Sequence, residues 1–151
     1  IERKLIRDEN DKKIKRLAKK FDRVLVDAPC TGTGTWRRDP DTRAKYSDLD
    51  LENMMSLQDR ILASAARLTK PGGCLVYVTC SLLREENEDR IIALLSRRKD
   101  YKIVPIPKIW DEQVTVKGGG KCPTNSEMLR LTPKEHHTDG FFAAVLRRDL
   151  D

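Results

Sequence analysis

Short apolar runs alternate with longer amphipathic stretches along this chain. Val24-Leu25-Val26 leads into Asp27-Ala28-Pro29-Cys30. A compact β-branched run closed by proline reads as a buried parallel strand. Leu51, Met54, Met55, Ile61, Leu62, Ala65 and Leu68 then recur at helical spacing. They predict one apolar helix face, with Lys70-Pro71-Gly72-Gly73 as its stop. Cys74-Leu75-Val76-Tyr77-Val78 is a second buried strand, ending in Thr79-Cys80-Ser81. Glu85, Glu86, Glu88 and Asp89 suit the first turns of a following helix, where the peptide dipoles favour negative charge. Ile91, Ile92, Leu94 and Leu95 supply its apolar face, and Arg97-Arg98-Lys99 its end. Tyr101 to Ile106 reads as an extended edge segment, given Pro105 and Pro107. Residues 111–127 read as a loop hinged at Gly118-Gly119-Gly120, and Phe141 to Leu146 as a last strand after the turn Thr138-Asp139-Gly140.

Strands alternating with helices predict an α/β fold, a mostly parallel sheet with helices on its faces. In such sheets the working site lies beyond the carboxyl ends of the strands. Asp27 to Cys30 and Thr79 to Ser81 both fall there. If the two strands are neighbours, two thiols face one crevice.

Charge refines this picture at one end. Residues 1–20 hold nine Lys or Arg against four acidic residues, so most of the net charge of +6 sits there. This basic segment suits phosphate, or equally a solvated helix face. It forms the first of two expected regions: residues 1–20, and a domain over 21–151. The charged start has neither a secretory signal nor an initiator Met, so the expectation is a piece of a longer protein in the cytoplasm, with no membrane partner. Four cysteines without a CxxC pair, and two adjacent histidines, argue against a disulfide framework and against a zinc site.

A wider set of residues carries a resemblance. Asp27-Ala28-Pro29-Cys30-Thr31-Gly32-Thr33-Gly34, and Thr79-Cys80-Ser81 followed by Glu85-Glu86-Asn87-Glu88, resemble two signature motifs of the Sun/Fmu-type RNA cytosine-5 methyltransferases. Arg37-Arg38-Asp39-Pro40, Gln58, Lys70-Pro71-Gly72-Gly73 and Leu129 to Pro133 leading to Asp139-Gly140-Phe141-Phe142 extend the match over residues 21–148. The resemblance implies the C-terminal half of a Rossmann-like class I methyltransferase fold. It implies S-adenosylmethionine as cofactor and RNA as partner, ribosomal RNA being favoured over transfer RNA.

By the same resemblance, Cys80 is the nucleophile and Cys30 the thiol that assists release. The chemistry makes two thiols useful. Carbon 5 of cytosine is a poor nucleophile until a thiolate adds to carbon 6, so covalent catalysis splits one hard step into easier ones. The resemblance also assigns Asp27 to the cytosine amino group or the cofactor, while among substrate-binding candidates Pro29 fixes the backbone beside Cys30 and Arg37 and Arg38 suit RNA phosphates. Each residue has a plainer reading as well: a packed thiol, a turn cap, a solvated arginine. Cys74 reads as core. Two other functions stay open. One is a DNA cytosine-5 methyltransferase, which would use the Pro29-Cys30 thiol as nucleophile. The other is a non-catalytic RNA-binding or ribosome-assembly module with a degenerate methyltransferase fold.

No glycine-rich cofactor loop follows a strand ahead of Val24, and Pro71-Gly72-Gly73 lies between a helix and a strand. The 151-residue chain by itself is therefore expected to bind S-adenosylmethionine weakly or not at all. Isothermal titration checks this, and tight binding overturns it.

Overall fold

A computed structural model describes residues 11–150. The expected basic segment therefore lies partly outside the described residues. Its described end forms α1 (Lys12–Leu17), capped by the Asp11 carboxylate. Then follow β1 (Phe21–Asp27), α2 (Pro40–Lys45), α3 (Asp48–Leu68), β2 (Thr69–Thr79), α4 (Glu88–Arg97) and β3 (Tyr101–Ile103). The chain continues as α5 (Ile106–Gln113), β4 (Leu129–Leu131), α6 (Pro133–His136) and β5 (Phe141–Arg148).

The sheet runs β1-β2-β5-β3, with β4 also on β5. β1 and β2 pair in parallel, whereas β5 runs against β2, β3 and β4. Four of the five strands among the described residues thus share one direction, and β5 alone opposes them. β3 and β4 share the outer edge of β5, one at each end of it.

Helix α3 starts where Ser47 and Asp50 exchange side-chain and backbone hydrogen bonds, a capping box that satisfies two otherwise orphaned amides. Its buried stripe is Gln58, Leu62, Ala65 and Ala66. Spacings of four, seven and eight put these residues on one face. Leu62, Ala65 and Ala66 meet Val26 of β1, Leu75 and Tyr77 of β2, Phe142, Ala144 and Leu146 of β5, and Ile91 and Leu94 of α4 in one core. Register explains the shared sheet face: Leu75 lies opposite Leu146 and Tyr77 opposite Ala144.

Three local expectations change. Helix α3 ends at Leu68, and Lys70 to Gly73 already belong to β2. Between Phe21–Thr69 and Arg23–Cys74 the register slips, so Pro71-Gly72-Gly73 forms a bulge, with Gly72 at φ +74°. Pro107 does not prolong an edge strand. It sits in the first turn of α5, where a missing N–H costs nothing, so Ile106 is helical rather than extended and residues 111–113 are helical rather than loop. The helix expected from Glu85 begins only at Glu88, after a tight turn over Arg84–Glu86.

No helix among the described residues is long and apolar enough to cross a membrane. Leu62 is 1% exposed at the centre of the core. Leu62→Ala is expected to lower stability by about 2–5 kcal/mol, read from the urea unfolding midpoint. A change below about 0.5 kcal/mol would mean that this contact surface is not the core.

Candidate active site

Parallel pairing brings the ends of β1 and β2 side by side. Asp27 is opposite Val78, and the Ala28 N–H donates to the Val78 carbonyl at 3.0 Å. Both chains leave the sheet here, one into Pro29-Cys30-Thr31 and the other into Cys80-Ser81. The two sulfurs come within 3.3 Å of each other, half-buried.

The loop after Cys30 folds onto the loop after Cys80. The Gly34 N–H donates to the Cys80 carbonyl at 2.9 Å, and the Gly140 N–H to the Gly34 carbonyl at 2.9 Å. A Cβ on Gly34 would lie 2.5 Å from the Cys80 carbonyl oxygen, so only glycine permits this approach. The Leu82 N–H donates to the Thr33 hydroxyl at 2.7 Å, and that hydroxyl also contacts the Ser81 hydroxyl at 3.1 Å.

Polar groups from the interior hold these loops. Glu86 is 0% exposed. Its carboxylate accepts from the Thr31 N–H at 2.9 Å, from the Thr31 hydroxyl at 2.6 Å and from Gln58 Nε2 at 3.0 Å. Gln58 Nε2 also donates to the Pro29 carbonyl at 2.9 Å. The Thr79 hydroxyl donates to Asn87 Oδ1 at 2.6 Å, and Asn87 Nδ2 to the Ser81 carbonyl at 2.9 Å. The Tyr77 hydroxyl donates to the Glu86 carbonyl at 2.7 Å. Arg130 of β4 bonds both the Leu82 carbonyl and the Glu88 carboxylate, tying the same loop to β4.

The two thiols are electrostatically unequal. Hydrogen bonding from Cys30 pulls the Cys80 thiol down to about 7, against burial and the charges of Asp27 and Glu86. Cys30 is pushed far up, first by its bond to Cys80 and then by burial. Either sulfur can donate across this contact, and the electrostatic balance favours Cys30 keeping the proton and Cys80 ionising to the thiolate, the form that reacts.

The remaining residues singled out in the sequence lie around this pair. Asp27 is exposed at the mouth, and Pro29 is exposed with its carbonyl turned to Gln58. Arg37 and Arg38 are about two-thirds exposed and both face Asp139, the residue before Gly140. Exposed ion pairs of this kind are weak, so neither guanidinium is locked. Cys74 is half-buried on β2 rather than fully core, and Cys122 sits in the loop before β4, donating to the Thr124 carbonyl. The described residues hold no cluster of His, Cys, Asp and Glu suited to a metal. A cavity of about 210 Å³ opens between α3 and α4, away from the thiols.

The two thiols stand where their motifs in the sequence put them, whereas the parts of Glu86, Asn87 and Thr31 emerge only in the fold. Glu86 was grouped with Glu85, Glu88 and Asp89 as helix-start charge, yet it alone turns inward to complete burial. A signal was available: Gln58 interrupts an otherwise apolar stripe, and a buried amide there demands a polar partner.

The crystal structure of a methyltransferase homolog protein from Pyrococcus horikoshii shares this α/β fold, with a TM-score of 0.63 at 36% identity over 85% of this chain and 39% of that one. The chain belongs to the family described as 16S rRNA methyltransferase RsmB/F, whose sequence model matches residues 2–147. It is 38% identical over 126 residues to the ribosomal RNA small subunit methyltransferase B of Shewanella oneidensis, covering 83% of this chain and 27% of that protein. The chain thus spans about a quarter of the length of the curated relatives it matches. The crystal structure of PH0851 superposes with a TM-score of 0.74 at 37% identity, over 87% of this chain and 27% of that one. NSun6 from Pyrococcus horikoshii, solved with SFG, gives 0.61 at 28% identity, over 84% and 29%.

Alkylation of Cys80 by iodoacetamide, followed by peptide mass spectrometry, is expected to rise through a midpoint near pH 7. Because the folded pKa is depressed, reactivity is present above that midpoint and lost as pH falls through it. Cys30→Ala removes the donor and is expected to move the midpoint up toward ordinary cysteine values. An unmoved midpoint would show that Cys30 does not stabilise the thiolate.

Proposed function

We propose that this chain carries the catalytic thiols of an enzyme that methylates carbon 5 of a cytosine in RNA, small-subunit ribosomal RNA being the favoured substrate. The observation that carries the reading is the 3.3 Å approach of two chemically unequal sulfurs at the ends of adjacent parallel strands. Family membership and the names of the relatives support ribosomal RNA as the substrate class.

In this reading the Cys80 thiolate forms a bond to carbon 6 of the pyrimidine. The electron pair of the carbon 5–carbon 6 double bond is thereby made available for carbon 5 to attack a methyl group. S-adenosylmethionine, when bound, supplies that methyl from its sulfonium. In the same reading Asp27, exposed at the carboxyl end of β1, accepts hydrogen bonds from a cytosine amino group or from the cofactor. An exposed carboxylate at a strand carboxyl end fits either partner. Arg37 and Arg38, paired only with Asp139 at the surface, can turn toward RNA phosphates.

The sulfur pair also explains the order of events. While Cys80 is a thiolate, its hydrogen bond keeps the Cys30 proton in place. Once Cys80 is bonded to carbon, that acceptor is gone and the main cause of the raised Cys30 pKa disappears. Cys30 can then release its proton to water and, as a thiolate, take the proton from carbon 5. The released electron pair re-forms the ring double bond and expels the Cys80 sulfur.

In a protein carrying this chain at the full length of its relatives, assayed with RNA, Cys80→Ala is expected to abolish both methylation and the covalent protein–RNA complex. Cys30→Ala is expected to let that complex accumulate on a denaturing gel. Adduct formation that survives loss of Cys80 and vanishes with Cys30 would reverse the roles, as in the DNA-type chemistry.

A further inference from the structure

Each thiol is held through the residues on both its sides, and the two holds converge on two consecutive side chains. We propose that Glu86 and Asn87, with Gln58, are positioning residues that set the separation of the Cys30 and Cys80 sulfurs for the methyl transfer proposed above, on which this inference rests.

The Glu86 carboxylate takes both the amide and the hydroxyl of Thr31, the residue after Cys30. Gln58 Nε2, shared with Glu86, takes the carbonyl of Pro29, the residue before Cys30. Asn87 does the same around Cys80: its Oδ1 accepts from Thr79 and its Nδ2 donates to the Ser81 carbonyl. One peptide link therefore separates the hold on one thiol from the hold on the other. That link is itself fixed. The Tyr77 hydroxyl anchors the Glu86 carbonyl, and Asn87 takes the unusual backbone angles φ −113°, ψ −100° between the tight turn and α4.

A stabilising role alone explains this arrangement poorly. A fully buried carboxylate with neutral partners is an expensive way to fill space, and apolar residues of the same volume serve stability as well or better. What a buried carboxylate supplies is direction: charge-assisted hydrogen bonds are short and tolerate little displacement. Reactive groups need that kind of support, because a shift of about 1 Å in a reacting atom can cost on the order of a hundredfold in rate.

The sulfur separation can be read without RNA or cofactor, from the pH midpoint of Cys80 alkylation in the intact chain. Glu86→Gln keeps the size but turns one acceptor into a donor facing Thr31 or Gln58, so the Cys30 loop shifts and its bond to Cys80 is lost. The midpoint is expected to rise by about one pH unit or more. The sign discriminates between explanations. The Glu86 charge itself raises the Cys80 pKa, so a role through charge alone makes the same substitution lower the midpoint.

Thr31→Val removes one held group and leaves the charge, and is expected to raise the midpoint by a smaller amount. Thr31→Ser keeps the hydroxyl and is expected to restore the original value. These two milder variants decide the matter if Glu86→Gln does not fold. A folded Thr31→Val or Glu86→Gln protein with an unchanged or lowered midpoint overturns the proposal. The covalent-complex assay on Cys30→Ala tests the methyl-transfer reading separately, so failure of one is not mistaken for failure of the other.

Discussion

Two strands that pair in parallel must finish on the same side of their sheet. Here β1 and β2 finish in register, Asp27 beside Val78, and the chain leaves both at once. That constraint puts residues from distant parts of the sequence at one edge without any dedicated scaffold. The position of β5 strengthens it. By running against β2, β5 brings its own start, Gly140 and Phe141, to the same edge, where Gly140 meets Gly34. Strand direction thus brings three chain segments to the two sulfurs, and the polar contacts of Gln58, Glu86 and Asn87 hold them there.

Directional polar contacts then convert proximity into inequality. Two thiols at equal exposure in water would titrate alike. The 3.3 Å contact separates them, one toward a thiolate and the other toward a held proton. Burial works against the charged form at both sulfurs, and so do the nearby carboxylates at Cys80, so the hydrogen bond must outweigh them there. Precise spacing is therefore the property on which the chemistry turns, and the interior around Glu86 and Asn87 is correspondingly polar where the rest of the core is apolar.

Most of the frame was legible in the sequence because it is periodic. Leu62 and Ala65 on α3, Leu75 and Tyr77 on β2, and Phe142, Ala144 and Leu146 on β5 follow the spacings of helix and strand, and the structure buries them. The thiol positions were legible from the motifs that follow each strand. What escaped was set by local exceptions. Pro107 was read as strand punctuation because proline is compatible with both an edge and a helix start. Glu86 shares the helix-terminal character of three acidic neighbours, and apart from the polar Gln58 in an apolar stripe it is the pairing with Thr31 and Gln58 that sets it apart. The bulge at Pro71-Gly72-Gly73 was read as a helix stop, since nothing in those letters separates a stop from a strand that begins irregularly.

The contact between Gly34 and Gly140 has a consequence in time as well as in space. Among the described residues, one glycine follows the first strand and the other precedes the last, so the crevice is completed by a closure between distant parts of the chain. Non-local closures of this kind carry a large entropic cost and come late in folding. A nascent chain that has made the thiols but not yet β5 holds both sulfurs without the roof that orders them. The reactive pair is thus withheld until β5 has been made and has closed onto β2.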